Sequence, residues 1–369
     1  MNTSSGGNAY DIPATMKAWI LGGPNELTLS EKPVPQPGEA EVLVRVDAIA
    51  VCASDIEVLE QGTPALIEGQ PPFNKNFTPG HEYMGTVVAL GPGVDEVEPG
   101  QRIAVEVHAG CGRCKRCRQG MYTSCLNYGF HSKGHRANGF TTDGGFAEYA
   151  VNHINTIAPI PDSISDEQAT LIVTAGTAIY GLDVLGGLIA GESVVITGAG
   201  AIGLMACAVA KVLGAGPVII TDIRDDRLEM GKSLGADFGV NASKENPVEA
   251  VHRITNGGAD LALECSGAKS GFDDAVHMVT RGGRVCLAAF AHEPVLVDAQ
   301  HMVANNIYVY GIRAEGQSAT LRAAALLAQG KFDPAIIHTH TFPMSDVPTA
   351  IRYARDRVED AIKVVVKMR

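Results

Sequence analysis

Basic charge is what this sequence has least to spare: 29 lysines and arginines face 41 aspartates and glutamates over 369 residues, a formal charge of −12 at pH 7. A nucleic acid or an anionic membrane would repel such a chain at long range, so a small molecule is the expected partner. Charge of either sign is sparse, at 19% against 46% hydrophobic residues, which fits a folded globular protein and excludes a disordered or fibrous one. The opening text M-N-T-S-S-G-G-N-A-Y-D-I-P-A-T lacks the basic stretch and apolar run of a secretory leader and reads as a polar arm over 1–15. No internal repeat or low-complexity tract is present. The longest uncharged run, Ser193 to Ala210, spans 18 residues, but three glycines inside it argue against a membrane helix. Without a leader, the eight cysteines are expected as thiols or metal ligands in the cytoplasm, not as disulfides. Cys207, inside an apolar stretch, reads as core.

What is present divides in two. From Met16 to about Pro159, short strand-like runs such as E-V-L-V-R-V-D-A-I-A and G-T-V-V-A-L-G-P-G are punctuated by Gly and Pro, the pattern of a β-rich domain. The stretch P-D-S-I-S-D-E-Q-A then offers a helix N-cap and an acidic first turn. From Ser193, strands such as S-V-V-I-T, V-I-I-T-D and L-A-L-E-C alternate with helical patterns, which predicts a doubly wound parallel sheet in an α/β domain. The expected boundaries are 1–165 for the β-rich domain, 166–305 for the α/β domain, and 306–369 for a segment that rejoins the first.

Gly198-Ala199-Gly200-Ala201-Ile202-Gly203 follows the strand V-V-I-T and opens an amphipathic helix. In that setting the first glycine makes a tight turn, the second admits a pyrophosphate, and the third lets helix and strand pack closely. The helix N-terminus supplies N–H groups and the positive end of a dipole. Nineteen residues after Gly203, Asp222 ends the strand V-I-I-T-D, where a carboxylate can hold both hydroxyls of an adenosine ribose. It would repel a 2′-phosphate, favouring NAD over NADP, while Arg224 and Arg227 pull the other way. Gly198, Gly200, Ile202, Gly203, Asp222, Arg227 and Arg313 are the cofactor-side candidates. E-C-S-G, Glu264 to Gly267, lies at a later strand end facing the nicotinamide half, or is an ordinary loop.

Two groups of residues suit a metal. Cys111, Cys114, Cys117 and Cys125 are spaced 3, 3 and 8, which brings four thiolates around one tetrahedral ion, zinc by preference; free surface thiols are the alternative. Such a site leaves no position for substrate. Arg113, Lys115, Arg116 and Arg118 between the ligands offset its surplus negative charge. The second group is Cys52 in V-C-A-S-D-I-E with His81 and Glu82 in P-G-H-E-Y-M-G, a thiolate, an imidazole and a carboxylate that together would leave a zinc ion open on one side.

Taken together, P-G-H-E-Y-M-G, C-A-S-D, the cysteine loop, G-G-F-A-E-Y-A-V and G-A-G-A-I-G with T-D-I-R-D-D-R resemble the medium-chain zinc-dependent alcohol dehydrogenases, above all the sorbitol/polyol and threonine dehydrogenase branch. The resemblance implies a GroES-like catalytic domain completed by the C-terminal segment, a Rossmann domain with NAD in the cleft between the two, and a homo-oligomer, tetramer or dimer. It makes Cys52 and His81 ligands of a catalytic zinc, Ser54 the first member of a proton relay, Asp55 the partner that orients His81, and the cysteine loop a structural zinc site. The chain departs from the family where Thr174 replaces a usual Cys, Glu or Asp, so Glu82 is taken as third ligand. Glu57 replaces a relay histidine. His108 resembles a substrate-side histidine of the threonine branch, or is a plain strand residue. The unusual segment His131–Phe140 is expected as a solvated loop, with His131, His135 and Arg136 as substrate contacts in the alternative. The implied activity is NAD-dependent oxidation of a secondary alcohol, a polyol or sugar-derived alcohol first; L-threonine 3-dehydrogenase-like activity and a non-catalytic cofactor-binding protein are the alternatives.

Overall fold

In the computed structural model, residues 10–62, 73, 76–291, 293–316 and 318–369 are described; residues 1–9 of the expected polar arm lie outside them. The chain forms two compact units, one of residues 1–173 and 338–369, the other Thr174–Ile337.

The first unit is built on a seven-stranded sheet. Its main path runs His338–Pro343, Lys363–Lys367, Glu41–Val51, Glu82–Leu90, Arg102–Val105, Ile157–Pro159, and Tyr149–His153 also pairs with Glu41–Val51. The alternation in E-V-L-V-R-V-D-A-I-A puts Val42, Val44 and Val46, and past a register irregularity Ile49, into one core with Tyr83, Val87, Phe146 and Val364. Burying each such side chain contributes about 1.5–3 kcal/mol. Lys363–Lys367 runs antiparallel to Glu41–Val51 with Val364 opposite Val51, so the C-terminal segment does complete this sheet. Beyond it, Ser165 caps the helix Asp166–Thr170: its hydroxyl accepts from Gln168 N at 3.2 Å, and Gln168 Oε1 accepts from Ser165 N at 3.0 Å. This is the reciprocal capping box of the P-D-S-I-S-D-E-Q motif.

The second unit carries six parallel strands in the order Phe238–Asn241, Val218–Asp222, Val194–Thr197, Ala259–Glu264, Val279–Leu287, Tyr308–Gly311. Numbered along the chain this is the order 3-2-1-4-5-6 of a dinucleotide-binding sheet. The return to the first unit comes at His338, later than the 305/306 boundary read from the sequence, because Y-V-Y-G adds a sixth strand to the parallel sheet. No helix among the described residues is long and apolar enough to cross a membrane.

Candidate active site

The apolar strand Glu41–Val51 ends at Cys52, which caps the helix Ala53–Gln61. Asp55, in that helix's first turn, accepts from Cys52 N through Oδ2 at 2.9 Å, while its Oδ1 meets His81 Nδ1 at 2.8 Å. One fully buried carboxylate thus fixes both the helix start and the histidine ring. Asp55 engages Nδ1, which leaves Nε2, on the opposite side of the ring, as the nitrogen a metal would bind in place of a proton. His81 is delivered by Gly80, whose φ of +97° an L side chain rarely adopts; a Cβ there would lie 2.6 Å from Ile49 Cδ1 and 2.8 Å from Phe146 Cδ2.

Cys52, His81 and Glu82 bring their ligand atoms within 4.8 Å of one another, and Ser54 Oγ lies 3.3 Å from Cys52 Sγ and 3.2 Å from His81 Nε2. Burial disfavours a charged His81, yet Asp55 and then Cys52 outweigh it and hold the ring well above the usual histidine range. Sequence reasoning missed Lys363. Opening the strand that pairs with Glu41–Val51, it is 3% exposed and ion-paired to Glu82. Its burial is outweighed by Glu82, Cys52 and Asp55, which raise its pKa. A sulfur, an imidazole and a carboxylate gathered this closely are a donor set that fits zinc with one position left open.

The ring of Phe140 lies 4.7 Å from that of His81 and 6.3 Å from that of the buried His108. The segment from His131 to Phe140 is therefore not the solvated loop expected. His135 is fully buried, with its ring 4.5 Å from Tyr128 and its Nδ1 accepting from Gly129 N at 3.2 Å. Arg136 pairs with Glu41 at 3.0 Å, and half-buried His131 sits in a short helical turn.

Cys111, Cys114, Cys117 and Cys125 likewise gather within 4.8 Å of one another. Their sulfurs accept N–H bonds: Cys114 from Cys117 N at 3.5 Å, Cys125 from Asn127 N at 3.3 Å, Cys111 from Asn127 Nδ2 at 3.2 Å. Burial raises the Cys111 thiol, but the Asn127 amide and nearby backbone N–H groups prevail and bring it down to about 6, whereas burial pushes Cys125 up. Asn127 was invisible to a scan for cysteines. Four such donors fit a closed zinc site.

In the second unit, Gly198 turns with φ +87° and Gly200 caps the helix Ala201–Val212, which includes Ile202. A Cβ on Gly203 would lie 1.9 Å from Gly198 O. Gly203→Ala is accordingly expected to push the helix off the turn, lowering the melting temperature by several degrees at an over-packing cost of about 1–3 kcal/mol and weakening NAD binding; calorimetry and NAD titration check it. Asp222 closes its strand with Oδ2 accepting from Ala199 N at 2.7 Å and Oδ1 from Arg224 N at 3.0 Å, so it grips the glycine turn. Thr197 lies level with both Thr221 and Glu264, aligning these strand ends. Buried Glu264 accepts through Oε1 from Ser266 N at 2.8 Å and Gly267 N at 3.0 Å, pinning E-C-S-G in place. Arg227 is buried in the helix Asp225–Ser233, and Arg313 is exposed just past Tyr308–Gly311.

A half-buried cysteine gathered with a buried histidine and glutamate in one unit, and a glycine turn at a strand-to-helix junction in the other, are parts that a metal-dependent dehydrogenase would use. Comparison with known proteins agrees: residues 38–162 match the alcohol dehydrogenase GroES-like domain and residues 201–329 the zinc-binding dehydrogenase domain. An L-threonine 3-dehydrogenase of Pyrococcus horikoshii is 39% identical over 317 residues, 85% of this chain and 87% of that one. A sorbitol dehydrogenase of Bacillus subtilis is 31% identical over 359 residues, 97% of this chain and 98% of that one. A solved alcohol dehydrogenase of Escherichia coli CFT073, complexed with NADH, is 27% identical and covers 96% of this chain and 100% of that one with a TM-score of 0.85. The chain belongs to the zinc-binding alcohol dehydrogenase family and is an oxidoreductase acting on CH–OH groups.

Proposed function

We propose that the chain oxidises a secondary alcohol, a polyol or sugar-derived alcohol, to the ketone with NAD as acceptor. The observation that carries this is the gathering of half-buried Cys52 with buried His81 and Glu82 and the Ser54 hydroxyl against them. Cys52, His81 and Glu82 would hold a catalytic zinc, and Cys111, Cys114, Cys117 and Cys125 a structural one. When bound, zinc supplies the Lewis acidity that favours the deprotonated alcohol, and NAD accepts the carbinol hydride. Ser54 takes the hydroxyl proton and passes it outward. Asp55 keeps His81 in one tautomer and orientation, and Lys363 holds the Glu82 carboxylate in place. In the second unit, the turn Gly198–Gly203 would receive the pyrophosphate, Asp222 the adenosine ribose, and Arg227 and Arg313 the cofactor's flanks. Asp222 supports NAD over NADP by charge.

The sorbitol dehydrogenase relative, which matches nearly the whole chain, supports a polyol. Buried His108 beside Phe140, together with the L-threonine 3-dehydrogenase relatives, supports L-threonine as the second reading. Initial rates on polyols, sugar acids, L-threonine and cyclic alcohols, each with NAD and NADP, separate the two. A polyol or sugar-derived alcohol with NAD is expected to lead; a lead for L-threonine replaces that substrate, and no turnover on any alcohol sinks the proposal. None of the eight cysteines is paired in a disulfide, which supports a reducing compartment such as the cytoplasm. A homo-oligomer, dimer or tetramer, completes the proposal and is read by sedimentation.

A further inference from the structure

Arg224 stands two residues after the ribose-side carboxylate, where a guanidinium would ordinarily be expected to welcome a 2′-phosphate. Its backbone N–H does reach Asp222, at 3.0 Å from Oδ1. Its side chain is engaged elsewhere: Nε donates to Asp226 Oδ1 at 3.0 Å and Nη2 to Asp226 Oδ2 at 2.6 Å, a two-pronged fit between planar groups. Lys244 is likewise paired with the neighbouring aspartate. Lys244 donates to Asp225 Oδ2 at 2.5 Å, and Asn241 Nδ2 bridges Asp225 Oδ1 at 2.7 Å and Ile223 O at 3.2 Å, which fixes the turn. Asp225 and Asp226 also form the first turn of the helix Asp225–Ser233, so carboxylates already occupy the end of the dipole that attracts phosphate.

We propose that Asp226 is a second determinant of coenzyme choice: by holding the Arg224 guanidinium it withholds that cation from a 2′-phosphate. This rests on the reading of Asp222 as the ribose carboxylate. The two acids act differently. Asp222 repels a 2′-phosphate directly, whereas Asp226 removes the charge that would compensate for it. Removing Asp222 alone therefore leaves Arg224 neutralised, and the chain still discriminates against NADP. The pair is part-exposed, at 36% and 59%, so it adds little to stability. Its consequence is for which anion Arg224 serves.

The test is calorimetric binding of 5′-AMP and 2′,5′-ADP to the zinc-loaded full chain, with the NADP/NAD ratio of kcat/KM as a parallel readout. The Asp222→Ser/Asp226→Asn variant is expected to bind 2′,5′-ADP at least about fivefold more tightly than Asp222→Ser, through an Arg224 guanidinium no longer paired with the Asp226 carboxylate, and adding Arg224→Ala should erase the gain. Equal affinities in the presence and absence of Asp226→Asn, or a gain that survives Arg224→Ala, overturns the proposal while leaving Asp222 in its role. If Asp222→Ser leaves 5′-AMP binding unchanged, the ribose reading itself fails and this inference falls with it.

Discussion

Replacing Cys52 with serine is expected to abolish alcohol-dependent NAD reduction and to halve the bound zinc from two ions per chain to one, with the fold intact. A serine hydroxyl keeps the shape but offers no thiolate, and soft sulfur is what ties zinc to such a site. Even losing a partner in the outer shell of a metal site costs about 10–100-fold, so losing a ligand should exceed that. Cys52 caps the helix Ala53–Gln61 mainly through its backbone N–H to Asp55, which serine preserves, and circular dichroism and melting should stay near wild type. Metal analysis and initial rates on one preparation give the answer. Unchanged turnover would remove Cys52 from the ligand set, and about one zinc per chain in the unaltered protein would sink the proposal of a catalytic zinc.

Cys125→Ser should act on the other property, stability. Of the four gathered sulfurs, only that of Cys125 belongs to a fully buried residue, and the loop around it is made of short turns rather than packed strands. A structural zinc provides about 10–16 kcal/mol in isolated zinc-finger peptides, so a loop held this way has little else to fall back on. The expected result is loss of the ion at this site, proteolytic cleavage between Cys111 and Cys125, and a melting temperature lower by about 10 °C or more, in proportion to several kcal/mol. Cys52→Ser should show none of these. A Cys125→Ser protein with full zinc content and unchanged melting would contradict a metal-braced loop.

How much of this was legible depended on how local each signal was. The cysteine loop and the glycine turn are written in consecutive residues, and the capping box at Ser165 likewise. The partnership of Cys52 with His81 spans 29 positions and becomes visible only when Glu41–Val51 and Glu82–Leu90 pair side by side. Lys363 is 281 residues from Glu82, and its one trace in the sequence is a charge at the head of the apolar run V-V-V. The segment His131–Phe140 misled through its polar composition: the ring of His135 packs against Tyr128 and that of Phe140 against His81 and His108, which composition does not encode. Arg224 misled in the opposite sense, since its charge is plain in the text and its engagement by Asp226 is not. The Y-V-Y-G strand was short enough to pass for part of the returning tail.

The ion pair of Lys363 with Glu82 has a consequence for how the protein is made. Synthesis is vectorial, and domains fold as units in chain order where they can. Here the first unit cannot, because all of Thr174–Ile337 is translated between the carboxylate and its lysine. Until Lys363 emerges, Glu82 lacks its ammonium partner, and Glu41–Val51 lacks the neighbour that pairs Val51 with Val364. The nucleotide-binding unit is thus free to fold first although it is encoded second. The proposed metal site would gain the lysine that holds Glu82 only when the last strand emerges.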